Sequence, residues 1–470
     1  MKVEQIYTGC IAHAAYYIEN NGEAAIFDPL REVQPYIDRA NKDNARIKYV
    51  FETHFHADFV SGHLDLKAKA GAEIVFGPTA KPGYPATVAT DGQVFSIGNY
   101  RVKVIHTPGH TMESTTYLLI DETGKEYGII SGDTLFIGDV GRPDLAQHVV
   151  AELTQEKLAR HLYHSLHEKI MPLNDELIVY PNHGAGSACG KMMSKETTDT
   201  LGHQKKVNYA LQPMTEDEFV KAILTGLTPP PGYFPKNVLM NIGGYESLDT
   251  IMQRGQKPLN PEVFEMLANE TRALILDTRP AAIFAKGFIP NSISIGLEGN
   301  FAQMVGELIK DINHEILLVT EVGKEEESII RLSRVGYDHA IGYLQGGFNS
   351  WVEAGKETDQ INRNSAKEFD KKYNTENILV IDVRRKSEYE SQHVIGAINI
   401  PLHLINEHLA EIPKDKPFVI HCAGGYRSII AGSVLKQRGW DNFVDVIGGF
   451  KEIATTGIPV TEYVCPTTLL

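Results

Sequence analysis

One segment of the C-terminal half is written twice. Leu274-Ile275-Leu276-Asp277-Thr278-Arg279, followed by Phe284 and Ile293-Ser294-Ile295, returns 105 positions later as Leu379-Val380-Ile381-Asp382-Val383-Arg384, followed by Tyr389 and Ile398-Asn399-Ile400. Each copy then carries Gly-Gly-Phe ahead of a short helical pattern, at Gly346-Gly347-Phe348 and Gly448-Gly449-Phe450. A period this long denotes a duplicated domain, because solenoid repeats run at about 20–50 residues. Each copy alternates strand and helix patterns, which predicts two small α/β domains on parallel sheets, over 257–357 and 362–465. Unrelated α/β units would share the alternation, but matched Asp-x-Arg and Gly-Gly-Phe signatures argue for duplication.

The stretch 1–240 reads differently. Short apolar runs at 24–29, 49–53, 74–78, 102–105 and 117–120 predict strands of one or two sheets, and 155–170 has a helical period. Thr228-Pro229-Pro230-Pro231-Gly232-Tyr233-Phe234-Pro235 reads as a linker or wrapping arm, since consecutive prolines favour extended chain. The 470 residues exceed one ordinary core, so two to four domains are expected.

Composition excludes several partners. No run approaches the roughly 20 apolar residues of a membrane span. The start, Met1-Lys2-Val3-Glu4-Gln5, lacks a secretory pattern, so a cytoplasmic protein is expected. A net charge of −15 disfavours nucleic acid and anionic membranes. Four cysteines suit a reducing compartment, and any in a suggestive context is a candidate nucleophile. A homo-oligomer is expected.

The chemistry concentrates in two places. His54-x-His56-x-Asp58 follows an apolar strand, and alternate positions there can be aimed at one point. His110 in Pro108-Gly109-His110-Thr111, Asp133 in Ser131-Gly132-Asp133-Thr134 and His183 in Pro181-Asn182-His183-Gly184 each follow a strand pattern or turn. Imidazole and carboxylate donors suit zinc or iron. A lone His-x-His pair would be weak evidence; six such residues at strand ends are hard to read as structural.

This order of motifs resembles the metallo-β-lactamase superfamily over the first 200 or so residues, which implies an αββα sandwich with the metal at one edge. That family's usual motif places a histidine directly after the aspartate; here it is Phe59, which argues against a dinuclear zinc hydrolase. Within the superfamily the segments 53–58, 107–111, 131–135, 141–144, 163–170 and 180–183 resemble the persulfide dioxygenases. The resemblance implies one Fe(II) held by His54, His110 and Asp133, with zinc as the alternative metal. His56, Asp58 and His183 would surround those ligands, and Arg142 would meet the thiol carrier. After His183 the run Gly184-Ala185-Gly186-Ser187-Ala188-Cys189-Gly190 departs from glutathione-using members. Cys189 is expected near the metal mouth, and Cys10 and Cys465 are read as structural.

In the second repeat, Val419-Ile420-His421 leads into Cys422-Ala423-Gly424-Gly425-Tyr426-Arg427-Ser428 and a helical pattern over 429–438. A cysteine delivered by a buried strand into a Gly-rich turn at a helix start suits a sulfur anion, stabilised by backbone N–H groups and by Arg427. An inert buried cysteine is common, but it needs neither adjacent glycines nor an arginine closing the turn. With Asp382-x-Arg384, Glu388-Tyr389 and His393-x-x-Gly396-Ala397, the region resembles the rhodaneses, implying a Cys422 persulfide and a loop of sulfur-carrier length. The first copy has Glu321-Val322-Gly323-Lys324-Glu325-Glu326-Glu327 where the loop should be and no cysteine, so it is expected to be inactive and to serve as a spacer.

The combined expectation is an enzyme that oxidises a low-molecular-weight thiol persulfide with O2 to sulfite and exchanges sulfane sulfur with thiosulfate at Cys422. A glyoxalase II-like thioester hydrolase fused to a sulfurtransferase is the alternative. A sulfur-sensing or carrier module fits the intact ligand set and cysteine loop less well.

Overall fold

The computed structural model describes residues 1–145, 153–227, 229–373, 375 and 378–465. They form two compact units, one holding the described residues of Met1–Thr250 together with Leu332–Tyr337, the other the remainder.

In the first unit, apolar side chains on strands predicted from runs such as 24–29 and 117–120 build two facing sheets. One sheet runs in chain order through β1 (Val3–Thr8), β2 (His13–Asn20), β3 (Glu23–Phe27), β4 (Arg46–Phe51), β5 (Glu73–Phe76) and β6 (Thr87–Val88). The other has the order β12 (Asp199–Thr200), β11 (Ile178–Pro181), β10 (Glu126–Gly132), β9 (Thr115–Ile120), β8 (Tyr100–His106) and β7 (Val94–Ile97). Tyr16, Phe27, Phe51 and Val75 of the first sheet share one core with Phe95, Val104, Tyr117 and Ile130 of the second.

The outer face of the second sheet is covered by helices. Leu118, Ile129 and Val179 pack there with Leu162 of Gln155–His164, Leu201 of Leu201–Val207 and Phe219 of Glu216–Leu224. Helices Gln34–Lys42 and His63–Ala70 lie against β4. Burial on both faces explains why β9 is apolar or hydroxyl-bearing throughout rather than alternating. The expected αββα sandwich is thus present.

The predicted helix 155–170 is regular to His164 and then widens into a π-helical turn, Ser165–Ile170. The proline passage is corrected at its end. Phe234 and Pro235 open a helix, Phe234–Gly243, because proline's fixed φ and missing N–H suit a first helical turn. Thr228, at the head of that passage, lies outside the described residues.

The second unit contains the duplication. The first copy forms a parallel sheet of order β13 (Pro258–Leu259), β17 (Ala340–Leu344), β16 (Ile316–Val319), β14 (Leu274–Asp277) and β15 (Ile293–Ser294). The second repeats the order with β18 (Arg363–Asn364), β22 (Phe443–Val446), β21 (Phe418–His421), β19 (Leu379–Asp382) and β20 (Ile398–Asn399). The two repeat signatures turn out to touch. Arg279 Nη2 donates to Asp277 Oδ2 at 2.6 Å while its guanidinium sits 4.3 Å from the Phe348 ring centroid. Arg384 does the same with Asp382 at 2.6 Å and with Phe450 at 4.0 Å. Asp-x-Arg and Gly-Gly-Phe are therefore two ends of one clamp, an ion pair capped by a cation–π contact.

Candidate functional site

The first constellation lies where strands stop. β4 ends at Phe51 and the chain turns through Glu52 and Thr53 into His54; β10 delivers Asp133 and β11 delivers His183. His110 follows β8 across a turn in which Gly109 is indispensable, since a Cβ there would lie 2.4 Å from the Leu162 backbone. His54, His110 and Asp133 are all buried, and their donor atoms lie within 4.8 Å of one another. His110 Nε2 is 3.4 Å and His54 Nε2 4.0 Å from Asp133 Oδ2.

Hydrogen bonds set the tautomers. The Arg142 carbonyl accepts at 2.8 Å from His110 Nδ1, which must carry the proton and leaves Nε2 with its lone pair. Thr53 Oγ1 lies 3.2 Å from Asp28 Oδ1 and 3.0 Å from His54 Nδ1. With its single proton given to the carboxylate, Thr53 accepts from Nδ1–H, and His54 Nε2 is free in the same way. Both carboxylate oxygens of Asp133 are buried without a hydrogen-bond partner. A buried anion facing two imidazole lone pairs calls for a cation. These three residues fit a metal, as expected from their type.

The remaining predicted residues divide into two groups. Asp58 and His183 stay beside Asp133, with His183 Nε2 at 3.4 Å from Asp58 Oδ2 and 3.5 Å from Asp133 Oδ1, and Cys189 Sγ joins this pair within 4.8 Å. Burial pushes the Asp58 carboxyl up, and it pushes the Cys189 thiol well above its ordinary range, helped by Asp58 and Asp133. His56 turns the other way. Its Nε2 is 2.9 Å from Asp28 Oδ1 and 3.4 Å from Glu52 Oε2. Burial opposes its charge, but those two carboxylates prevail and hold the imidazole well above its usual value.

Phe59 stacks on His56 with ring centroids 4.3 Å apart and lies tilted against His13 at 4.2 Å. Arg142 is buried and chelates Asp144, with Nε and Nη2 donating to its two oxygens at 2.7 and 2.6 Å. Its backbone N–H donates to the Cys189 carbonyl at 3.0 Å, tying the loop after His183 to the ligand turn.

Sequence reasoning missed His13, Asp28 and Glu52. Asp28 left a signal, an acid closing an apolar strand before a proline, and its φ of +48° is a conformation most residues avoid. His13 carried none, since its partners come from other parts of the chain, and Glu52 meets His56, Ser61 and His63 only once the turn after β4 has formed.

The second constellation surrounds Cys422, buried at the end of the wholly buried β21. Gly425 N–H donates to its Sγ at 3.1 Å and Ser428 Oγ lies 3.5 Å away. Gly425 takes φ +99° to begin the helix Tyr426–Gln437. Arg427 is spoken for. Its Nη1 and Nη2 donate to Glu388 at 2.6 and 2.8 Å, so its charge is balanced within the fold. Ala423, Gly424 and Tyr426 complete the turn.

Residues 8–183 match the family model of the metallo-beta-lactamase superfamily, and residues 260–354 and 365–456 each match that of the rhodanese-like domain. The crystal structure of a metallo-beta-lactamase from Staphylococcus aureus subsp. aureus COL superposes with a TM-score of 0.66 at 31% identity, covering 73% of this chain and 99% of that one. The chain belongs to the metallo-beta-lactamase superfamily, and two rhodanese-like domains follow that fold. Among curated relatives, a hydroxyacylglutathione hydrolase of Rhizobium etli is 36% identical over 35% of this chain and 58% of its own length. The human mitochondrial persulfide dioxygenase ETHE1 is 29% identical over 42% of this chain and 70% of its own. The chain thus spans little more than half of the first relative. Among the described residues no helix is long and apolar enough to cross a membrane.

Proposed function

We propose that the first unit oxidises a low-molecular-weight thiol persulfide with O2, and that Cys422 exchanges sulfane sulfur between that persulfide and sulfite or thiosulfate. The observation that carries the reading is the diversion of His56. With that imidazole bound to Asp28 and Glu52, His54, His110 and Asp133 form a two-histidine, one-carboxylate set, while the adjoining Asp58, His183 and Cys189 gain no imidazole from position 59, which is phenylalanine. Two-His, one-carboxylate sets with open positions are those of non-haem iron oxygenases. Similarity to the human persulfide dioxygenase supports the same choice.

Iron(II) held by His54, His110 and Asp133 would bind the terminal sulfur and activate O2. The protein's part is derivable from its own residues. Thr53 and the Arg142 carbonyl lock the tautomers of His54 and His110, so neither ring has to reorient. Burial of all three ligands keeps bulk water from the reacting sulfur. Asp58 and His183 lie beside Asp133, and among the described residues the Asp58 carboxylate and His183 Nε2 have no hydrogen-bond partner of their own, so they are the groups placed to accept the released protons. The balance is RSSH + O2 + H2O giving RSH, sulfite and two protons. Arg142, paired with Asp144 next to the Cys189 loop, is the residue assigned to meet the thiol carrier by resemblance to the persulfide dioxygenases.

At the second site, the Cys422 thiolate attacks the outer sulfur of RSS−. The S–S bond breaks, RS− leaves with the electron pair, and Cys422 holds a persulfide beneath the Gly425 N–H. Sulfite then attacks the terminal sulfur, releasing thiosulfate and restoring the thiolate. One site's product is the other's co-substrate, and a shared chain raises its effective concentration.

Iron-loaded protein should consume O2 with glutathione or coenzyme A persulfide. Cys422→Ser should keep that uptake while the product moves from thiosulfate to sulfite. No O2 uptake with any persulfide would sink the reading. A thioester hydrolase is the second reading, favoured by the higher identity to the hydroxyacylglutathione hydrolase; two zincs per chain and hydrolysis of an acyl thioester without O2 uptake would establish it.

A further inference from the structure

The first rhodanese-like copy has no cysteine, yet it reaches the sulfur loop of the second. Tyr426, within the loop, donates its hydroxyl to the Gly296 carbonyl of the first copy at 2.9 Å, and its ring lies against Gly299, where a Cβ would sit 3.5 Å away. Ser294 N–H donates to Ser433 Oγ on the helix that Cys422 feeds, at 3.0 Å. From helix Phe301–Leu308 of the first copy, the largely buried Glu307 presents Oε1 to Arg385 Nη2 at 3.5 Å, and Gln303 Nε2 steadies that oxygen at 2.9 Å. The backbone N–H of Arg385 donates to Glu388 Oε2 at 3.1 Å, and Glu388 is the carboxylate that chelates Arg427, so a continuous run of charged groups joins Glu307 to the arginine in the Cys422 turn. Burial pushes the Glu307 carboxyl up, opposed by Arg385, Gln303 and Arg427.

The mouth therefore holds two guanidiniums, Arg385 and Arg427, against two carboxylates, Glu388 from the active copy and Glu307 from the inactive one. Glu388 alone already chelates Arg427. The second carboxylate is redundant for holding the loop and matters for the field in front of it. Without it, the cluster would carry a net positive charge beside a sulfur nucleophile.

We propose that the cysteine-free copy supports the Cys422 loop through Tyr426, and that its Glu307 is a specificity-determining residue that disfavours small inorganic sulfur dianions relative to thiol persulfides, whose reacting group carries a single charge. This rests on the sulfurtransferase reading above for its substrates, while the charge screen itself stands on the geometry. It gives the first copy a task other than spacing. The screen lets the loop be loaded by persulfide before sulfite or thiosulfate competes for it.

The test is alkylation of Cys422 in the full chain by the anionic iodoacetate and the neutral iodoacetamide, followed on the Cys422 peptide by mass spectrometry. Glu307→Gln should raise the iodoacetate-to-iodoacetamide rate ratio by roughly threefold or more at low salt, and less at high salt, as expected for one screened charge. Glu307→Asp should keep the wild-type ratio. The KM for thiosulfate in sulfur transfer to cyanide should fall by a similar factor, with kcat unchanged. An unchanged ratio overturns the proposal, and so do two alkylation rates rising together, because a loosened structure admits both reagents. The ratio needs no turnover, so a wild type that moved no sulfur from thiosulfate would count against the sulfurtransferase reading while the ratio still decided the screen.

Discussion

Phe59 sets a ring that cannot ligate between His13 and His56, directly after Asp58 in the chain. It is fully buried, stacked on His56 and tilted against His13, so its replacement by a polar ring of similar shape tests the site one residue at a time. Phe59→His is expected to raise zinc uptake toward a second equivalent per chain and to depress O2 uptake in the iron form, read by elemental analysis and an oxygen electrode. Unchanged stoichiometry would mean that position 59 does not set the metal count. At this scale the sequence was informative wherever a residue type is rare at its position, as with four imidazoles at strand ends or a cysteine shortly before two glycines. It was silent on orientation. His54 and His56 stand two apart on one strand end and are alike by spacing, and only the family resemblance gave them different roles. Asp28 and Glu52, at the ends of β3 and β4, hold His56 to a carboxylate pair while His54 lies toward Asp133.

At the scale of elements, the turns between strand and ligand carry the strictest demands. Gly109 lies against Leu162 of the helix Gln155–His164, and any side chain there must push the turn or the helix aside. Gly109→Ala should cost on the order of 2 kcal/mol or more in a denaturant titration and lower the metal content, because the same shift displaces His110. Full metal occupancy with a normal midpoint would show that the turn is softer than its packing suggests. Strands and their order of use were legible because apolar runs bounded by turn residues have few other readings. The proline passage was not, because Phe234 and Pro235 satisfy an extended arm and a helix start equally well until the following residues pack. Nor was the meeting of Arg384 with Phe450 visible, since 66 positions separate the two halves of the clamp.

For the whole molecule, the division into two units implies two responses to metal. A cation bound by His54, His110 and Asp133 stabilises only the fold that forms that site. Chelation should therefore lower the thermal transition of the first unit while sulfur transfer at Cys422 keeps its own midpoint, followed by calorimetry alongside activity after heating. A single transition moving as one on chelation would show that the units unfold together. The duplication has a consequence of another kind. Two copies with one strand order differ in what they retain, because only one carries a cysteine. Both keep the arginine clamped by aspartate and phenylalanine; only the second keeps the cysteine, the glycine turn and the glutamate that engages Arg427. Each chain thus contains its own blank. Whatever the pair shares belongs to the demands of folding, whatever differs belongs to sulfur, and a motif search built on the shared clamp will collect silent copies as readily as active ones.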